Sequence, residues 1–323
     1  MNTIAPGSSA IRRYAFVAAA ISVFTIIVLS AGCSSSSQSA ANTAAGVAEP
    51  DPRMASIREA MPKVDKFFRP MQPPEKFDWL DSFKESGQTF DEYLAGDPVK
   101  ATAERDKIYL LPLGRFTPRQ LRVVDATTEY LSAFYGLPVK KLMIVPLEIP
   151  KTEPDARKLP GRDLTQIRTG YIMDKYLKPM LPDDAAALIA LTNEDLYPGT
   201  SLYFVFGQGS MQDRVGVWSF YRLEMKVDDA TLLRRVLKIA SHEAGHMFSI
   251  KHCTKYECVM SGTNHVDETD RRPVDACPEC MAKVVWATRG TPLERYERLA
   301  TASTKLGLAK EADEFKAKAA ALR

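Results

Sequence analysis

Residues 241–260 read SHEAGHMFSIKHCTKYECVM and hold three of the four histidines of the chain and two of its five cysteines. His242 and His246 stand four residues apart. On a helix that spacing stacks two side chains about 5–6 Å from each other, so both imidazoles can reach one zinc ion at ~2.0–2.1 Å. Glu243 projects about 100° round the same helix. It cannot chelate beside the histidines, but it can sit over a zinc-activated water and take its proton. His252 lies six residues after His246, too far for the same helical face. The chain must therefore break after Met247 or Phe248 and swing His252 back to the metal. Three histidines leave the fourth tetrahedral position open, which is the arrangement of a catalytic rather than a structural zinc.

The thiols form a second arrangement. Cys253 and Cys258 flank a short loop directly after the third histidine, and Cys277 and Cys280 make a CPEC pair further on. Two close pairs in this order fit a closed four-sulfur zinc site that pins irregular chain without a large core. Two disulfides are the competing reading if the chain is exported. Met260, between the pairs, is placed to turn beneath the catalytic metal, although core filling is an equally simple role for a methionine. His265, in the polar stretch GTNHVDETD, reads as solvated.

These groups need a frame. From Lys107 the pattern is regular: IYLLPLGRF as a strand, a helix opened by Thr117 and Pro118 and stopped by Gly136, KLMIVPLEIP as a second strand, residues 163–178 as a second helix, and AAALIALTN as a third, fully apolar strand. Alternating strands and helices imply a sheet that is at least partly parallel. LYFVFGQGS and RVGVWSFYRL then read as an antiparallel hairpin at a sheet edge. Residues 229–249 follow as a long helix with Leu232, Val236 and Ile239 buried, and this helix carries the HEAGH run. Residues 51–104, rich in proline and aromatics, read as a wrapping segment with short helices. Residues 290–323 divide at Gly307 into a helical hairpin.

HEAGHMFSIKHC, four residues, Cys258-Val-Met260 and the later CPEC resemble the archaemetzincins, metzincin-type zinc peptidases with the motif HExxHxxGxxHC, four residues, CxM, about seventeen residues, CxxC. The blocks FDEYLAGDP, FYGLPVK, NEDLYPGTSLYFVFGQGS, VGVWSF and RRPVDACPEC extend the resemblance over roughly residues 79–288. It implies a catalytic zinc on His242, His246 and His252, Glu243 as general base and then proton donor to the leaving amine, and Met260 as the Met-turn residue. It also implies a structural zinc on Cys253, Cys258, Cys277 and Cys280, hence two zinc ions per chain. By the same analogy, an edge strand within residues 214–221 would pair with an extended substrate. There are two departures from the motif. Ser249 stands where it has glycine, at a cost on the order of 1 kcal/mol if the backbone there is left-handed, and the interval from Met260 to Cys277 is one residue short.

The chain ends bear on location. Arg12 and Arg13 precede the uncharged run YAFVAAAISVFTIIVLSAG, and Cys33 follows two small residues, so the segment reads as a lipoprotein-type export signal. An uncleaved membrane anchor is the alternative. The small polar residues of SSSSQSAANTAAGVAEP suit a tether. A net charge of +3 on 323 residues gives no nucleic-acid surface.

The expected architecture is α/β (α+β). It comprises a signal segment (1–33) with lipidation at Cys33, a tether (34–50), a wrapping segment (51–104), a catalytic domain (105–289) and a C-terminal hairpin (290–323). Within it, a mixed, partly parallel sheet carries an antiparallel edge hairpin, and a small zinc-stabilised subdomain follows the long helix. The expected function is a membrane-tethered, extracytoplasmic zinc metallopeptidase acting as a monomer on peptides or proteins. The alternative is a non-catalytic, zinc-stabilised binding or scaffold lipoprotein, toward which Ser249 leans.

Overall fold

The computed structural model describes residues 52–199 and 202–323. Cys33, the export signal and the tether lie outside the described residues. Among the described residues no helix is long and apolar enough to cross a membrane.

The centre of the molecule is a five-stranded sheet in the order β2-β1-β5-β8-β7. It is formed by β1 (Lys107–Pro112), β2 (Val139–Lys141), β5 (Ala185–Thr192), β7 (Gly207–Gly209) and β8 (Val215–Ser219). The first four in spatial order run parallel and β7 closes the edge antiparallel to β8. All eight residues of β5 are buried, as a strand covered on both faces requires. Alternate residues serve the two faces. Ile108, Leu110, Ile189 and Leu191 join the larger core, which also holds side chains of α4 (Pro118–Tyr135) and α7 (Asp229–Met247). Tyr109, Leu111, Leu188, Ala190, Val215 and Val217 pack on the other side with Ile172 and Leu177.

The capping signals are realised. Thr117 and Gln120 form a reciprocal capping box with Pro118 in the first turn, and Gly136 ends α4 with φ 68°. The last two helices, α10 (Pro292–Lys305) and α11 (Ala309–Leu322), turn at Gly307 with φ 72°. They are tied down by Asp275, whose carboxylate accepts from Arg295 and Lys318 at 2.9 Å each, all three side chains being buried.

Four expectations change. KLMIVPLEIP is not a strand: β2 ends on its first residue, Lys141, and Met143, Ile144 and Ile149 are exposed. Pro146 and Pro150 remove donors that a ladder needs, leaving one bridge from Val145 to Leu113. Residues 163–178 do not open as a helix. Thr165–Arg168 is a strand, β4, in a second sheet of three with β3 (Ala156–Lys158) and β6 (Asp195–Tyr197), and helical structure runs only from Thr169 to Met180. Pairing partners on both sides override the helical pattern there. Within residues 51–104 the two short helices, α2 (Trp79–Ser82) and α3 (Phe90–Ala95), are joined by a regular one of 14 residues, α1 (Pro52–Asp65), with Ile57, Ala60 and Val64 buried against α9 (Pro278–Ala287) and α11. His265, finally, is not simply solvated. It caps α8 (Val266–Arg271), its Nδ1 accepting from the Glu268 amide at 3.2 Å, while its Nε2 lies 3.2 Å from Asp78.

Candidate active site and metal centres

Helix α7 starts where Asp228 accepts the Thr231 amide at 2.7 Å and runs 19 residues on a buried stripe containing Leu232, Val236 and Ile239. It stops at Phe248, whose carbonyl accepts from the buried Tyr93 hydroxyl at 2.8 Å. Ser249 follows with φ 61°, the left-handed turn that sends Ile250 to His252 back across the helix end. The Ser249 hydroxyl offsets part of that strain by accepting from the Val99 amide at 3.1 Å and donating to the Met211 carbonyl at 2.9 Å. A serine can therefore hold the turn that glycine would hold without strain.

The three histidines converge. His242 and His246 bring their Nε2 atoms to 3.0 Å, and the His252 ring centroid lies 5.2 and 5.0 Å from theirs. Each remaining nitrogen is engaged. His242 Nδ1 donates to Val259 O at 2.9 Å and His246 Nδ1 to Ile250 O at 2.7 Å, since a carbonyl can only accept. His252 Nδ1 lies 3.0 Å from both carboxylate oxygens of Glu85. The Nε2 lone pairs of His242 and His246 are thus turned toward one point by their tautomers, which is how metal-ligating histidines are fixed. Burial and the neighbouring imidazoles hold His242 neutral, well below its ordinary range, and push His246 down to about 3. Imidazole nitrogens converging on one point suit a metal cation.

Glu243 sits in the wall of the same cleft, 5 % exposed and in no ion pair among the described residues. Burial pushes its carboxyl up to about 8, against the opposing hydrogen bond of the Gly209 amide. The edge strand β7 passes so near that a Cβ at Gly207 would lie 2.7 Å from the Glu243 side chain. These glycines keep backbone and carboxylate in contact. The expected edge within residues 214–221 is corrected: β8 lies between β5 and β7, and the free edge belongs to Gly207–Gly209. The cavity between this edge, helix α7 and the segment around Glu85 measures about 570 Å³.

Met260 is fully buried under the helix, and a Cβ at Gly245 would meet its Sδ at 2.5 Å. The glycine of HEAGH is thereby explained by Met260. The Met260 carbonyl accepts from the Cys253 amide at 2.8 Å, which links the turn to the thiols. Cys253, Cys258, Cys277 and Cys280 are free, buried, and have sulfurs all within 4.8 Å of one another. Two disulfides would pair sulfurs at ~2.05 Å and separate the pairs. A tetrahedral ion at ~2.3 Å from each sulfur instead asks for S···S edges of about 3.8 Å, near the 3.6 Å between Cys253 and Cys277. The amides of Cys277 and Met260 donate to Cys258 Sγ at 3.2 and 3.4 Å, the acceptor role that a metal-bound sulfur also takes.

Sequence reasoning missed Glu85, Trp79 and the two glycines of β7. Trp79 sets its ring edge-on to His252 at 4.9 Å. Nothing in FKESGQ distinguishes Glu85 from a solvated carboxylate, because its partner is 167 residues away. The GQG spacing beside the HEAGH helix was the available signal for Gly207 and Gly209.

The chain is similar in sequence to known proteins over most of its length. The sequence model of Peptidase family M54 matches residues 123–285. Archaemetzincin-2 of Homo sapiens and that of Macaca fascicularis are each 32% identical over 279 residues, covering 75% of this chain and 76% of theirs. The crystal structure of archaemetzincin from Methanopyrus kandleri superposes with a TM-score of 0.49 at 29% identity, covering 58% of this chain and 97% of that one. With the HEAGH helix, the returning third histidine and the four thiols in place, the chain belongs to Peptidase family M54, the archaemetzincins, and is a zinc metallopeptidase.

Proposed function

We propose that the cleft hydrolyses peptide bonds with His242, His246 and His252 holding the catalytic zinc and Glu243 moving the proton. The observation that carries this is the placement of Glu243 in the cleft wall beside three converging imidazoles, two of which have tautomers that leave their Nε2 lone pairs on one point. Zinc, when bound, supplies the positive charge that acidifies water and polarises a carbonyl. An extended substrate would lie along β7, whose outer edge faces the cleft, pairing by strand addition. Glu243 would take a proton from water as its oxygen attacks the carbonyl carbon, and would deliver that proton to the amide nitrogen as the carbon–nitrogen bond breaks. Glu243 needs its ionised form for the first step; burial opposes this, and a cation on the histidines favours it.

Glu85 would orient His252, and Met260 would support the helix at Gly245 without touching substrate. Cys253, Cys258, Cys277 and Cys280 would hold the second, structural zinc, so that His252 and Met260 hang from one pinned loop. Residues 1–50 support a location outside the cytoplasm on a membrane, with Cys33 as the lipidation site.

The test is hydrolysis of a mixed peptide library by the chain from residue 51 onward, with Glu243→Gln as control. Loss of about 10²–10⁴-fold in rate with zinc retained is expected. Equal peptide binding without cleavage in both proteins would instead establish a scaffold.

A further inference from the structure

The cleft continues past the histidines toward the start of α7. There it is walled by Lys238 and Ile239, by Val259, and by Thr269 and Arg272 from around the end of α8. Lys238 lies four residues before His242, on the same stripe of the helix. Two of these residues are cations, Lys238 being 7% exposed and Arg272 8%. Lys238 Nζ donates to the carbonyls of Thr269 at 3.0 Å and Asp270 at 3.1 Å; it meets no carboxylate, and its third hydrogen is unspent. Arg272 spends Nη2 on Glu268 at 3.1 Å, while its buried Nε has no partner. Asp270 and Glu311, the acids nearest Lys238, are taken by Arg235 and Arg234 at 2.6 Å each.

A simpler role for Lys238 is to cap the carbonyl end of α8, where cations are favoured. An exposed lysine would serve that purpose, and the cap leaves the Arg272 Nε unexplained. Two buried cations with unspent donors, both lining the cleft and with Lys238 one helical turn from His242, are what a site for a substrate anion requires.

We propose that this end of the cleft is a carboxylate-binding subsite, selecting substrates with an acidic group next to the scissile bond. This rests on the peptidase reading above. The carboxylate can come from an aspartate or glutamate side chain or from the end of a short peptide.

The experiment uses peptides differing only in Glu, Gln or Leu at each position flanking the cleaved bond, each with a free or an amidated C-terminus. kcat/KM is measured for the wild type, Lys238→Met and Arg272→Met. A wild-type preference for Glu over Gln of at least about tenfold, the scale of one charge-assisted hydrogen bond, is expected. It should survive amidation if the side chain is the source, and vanish with amidation if the terminus is. In Lys238→Met the Glu-over-Gln ratio should fall to within about twofold, the ratio being read within each variant so that a change in basal rate cancels. Equal cleavage of all free and amidated peptides by the wild type would overturn the proposal without any variant. Calorimetric binding of the Glu and Gln peptides to Glu243→Gln separates the two readings. If nothing is cleaved but the Glu peptide still binds more tightly through Lys238, the subsite stands and the peptidase reading falls.

Discussion

The histidine site and the cysteine cluster meet at consecutive residues, His252 and Cys253, and differ in what surrounds them. The histidines open onto a cavity of about 570 Å³, and their outer nitrogens are held by two backbone carbonyls and a carboxylate. The thiols are sealed in the core, and backbone amides donate to Cys258. Carbonyls and carboxylates orient neutral ligands and leave a coordination position free; amides stabilise thiolates and close the set. On the function proposed above, chemistry would be confined to the first site and folding to the second, although one loop serves both.

The largest effect should follow from damage to the closed site. Cys258→Ser removes the sulfur that receives both amides and should abolish cooperative unfolding, since structural zinc contributes on the order of 10 kcal/mol in small domains. Near-ultraviolet circular dichroism and thermal melting check this. His246→Ala, by contrast, should remove activity and leave the fold.

Asp275 belongs with the closed region. Burial resists its ionisation, yet Lys318 and Arg295 hold it below the usual carboxylate range. A depressed folded pKa contributes stability above the unfolded value of ~3.9 and loses it as pH falls through the folded value. Asp275→Asn should cost about 3–5 kcal/mol at neutral pH. The gap to the wild type in denaturant melts should narrow below about pH 4, and a gap constant with pH would contradict the pairing.

In the open site, Glu85→Ala should weaken zinc at the histidines by about 10–100-fold in chelator competition, without change in the cysteine-bound metal. The smallest effect is expected at Ser249. Ser249→Ala keeps the left-handed strain and loses two hydrogen bonds, about 2 kcal/mol. Ser249→Gly loses the same bonds and sheds the strain, so it should cost roughly 1 kcal/mol less. Equal melting of the two variants would mean that the turn is unstrained.

The same contrast explains what could be read in advance. His242, Glu243 and His246 are legible because one helix sets their geometry within five residues, and the cysteine spacing is legible because a tetrahedron constrains it. The break before Ser249 followed from the reach of His252. Thr117, Pro118 and Gly136 announced α4 because caps act locally. Glu85 was not legible, since its role exists only after a distant loop folds over the cleft. The identity of the free edge was lost for a similar reason: GQG is three residues with little β-propensity, and only its pairing with β8 makes it a strand. Thr165–Arg168 shows the converse, a helix-like pattern drawn into a sheet by β3 and β6.

The measurement closest to the central claim is zinc content and peptidase activity followed together during mild chelation. Two zinc ions per chain are expected at the start. The first should leave with all activity and no loss of folded signal, and the second only as the protein unfolds. Activity that persists after the first zinc is gone, or two ions lost together with the fold, would contradict the division between an open catalytic site and a closed structural one.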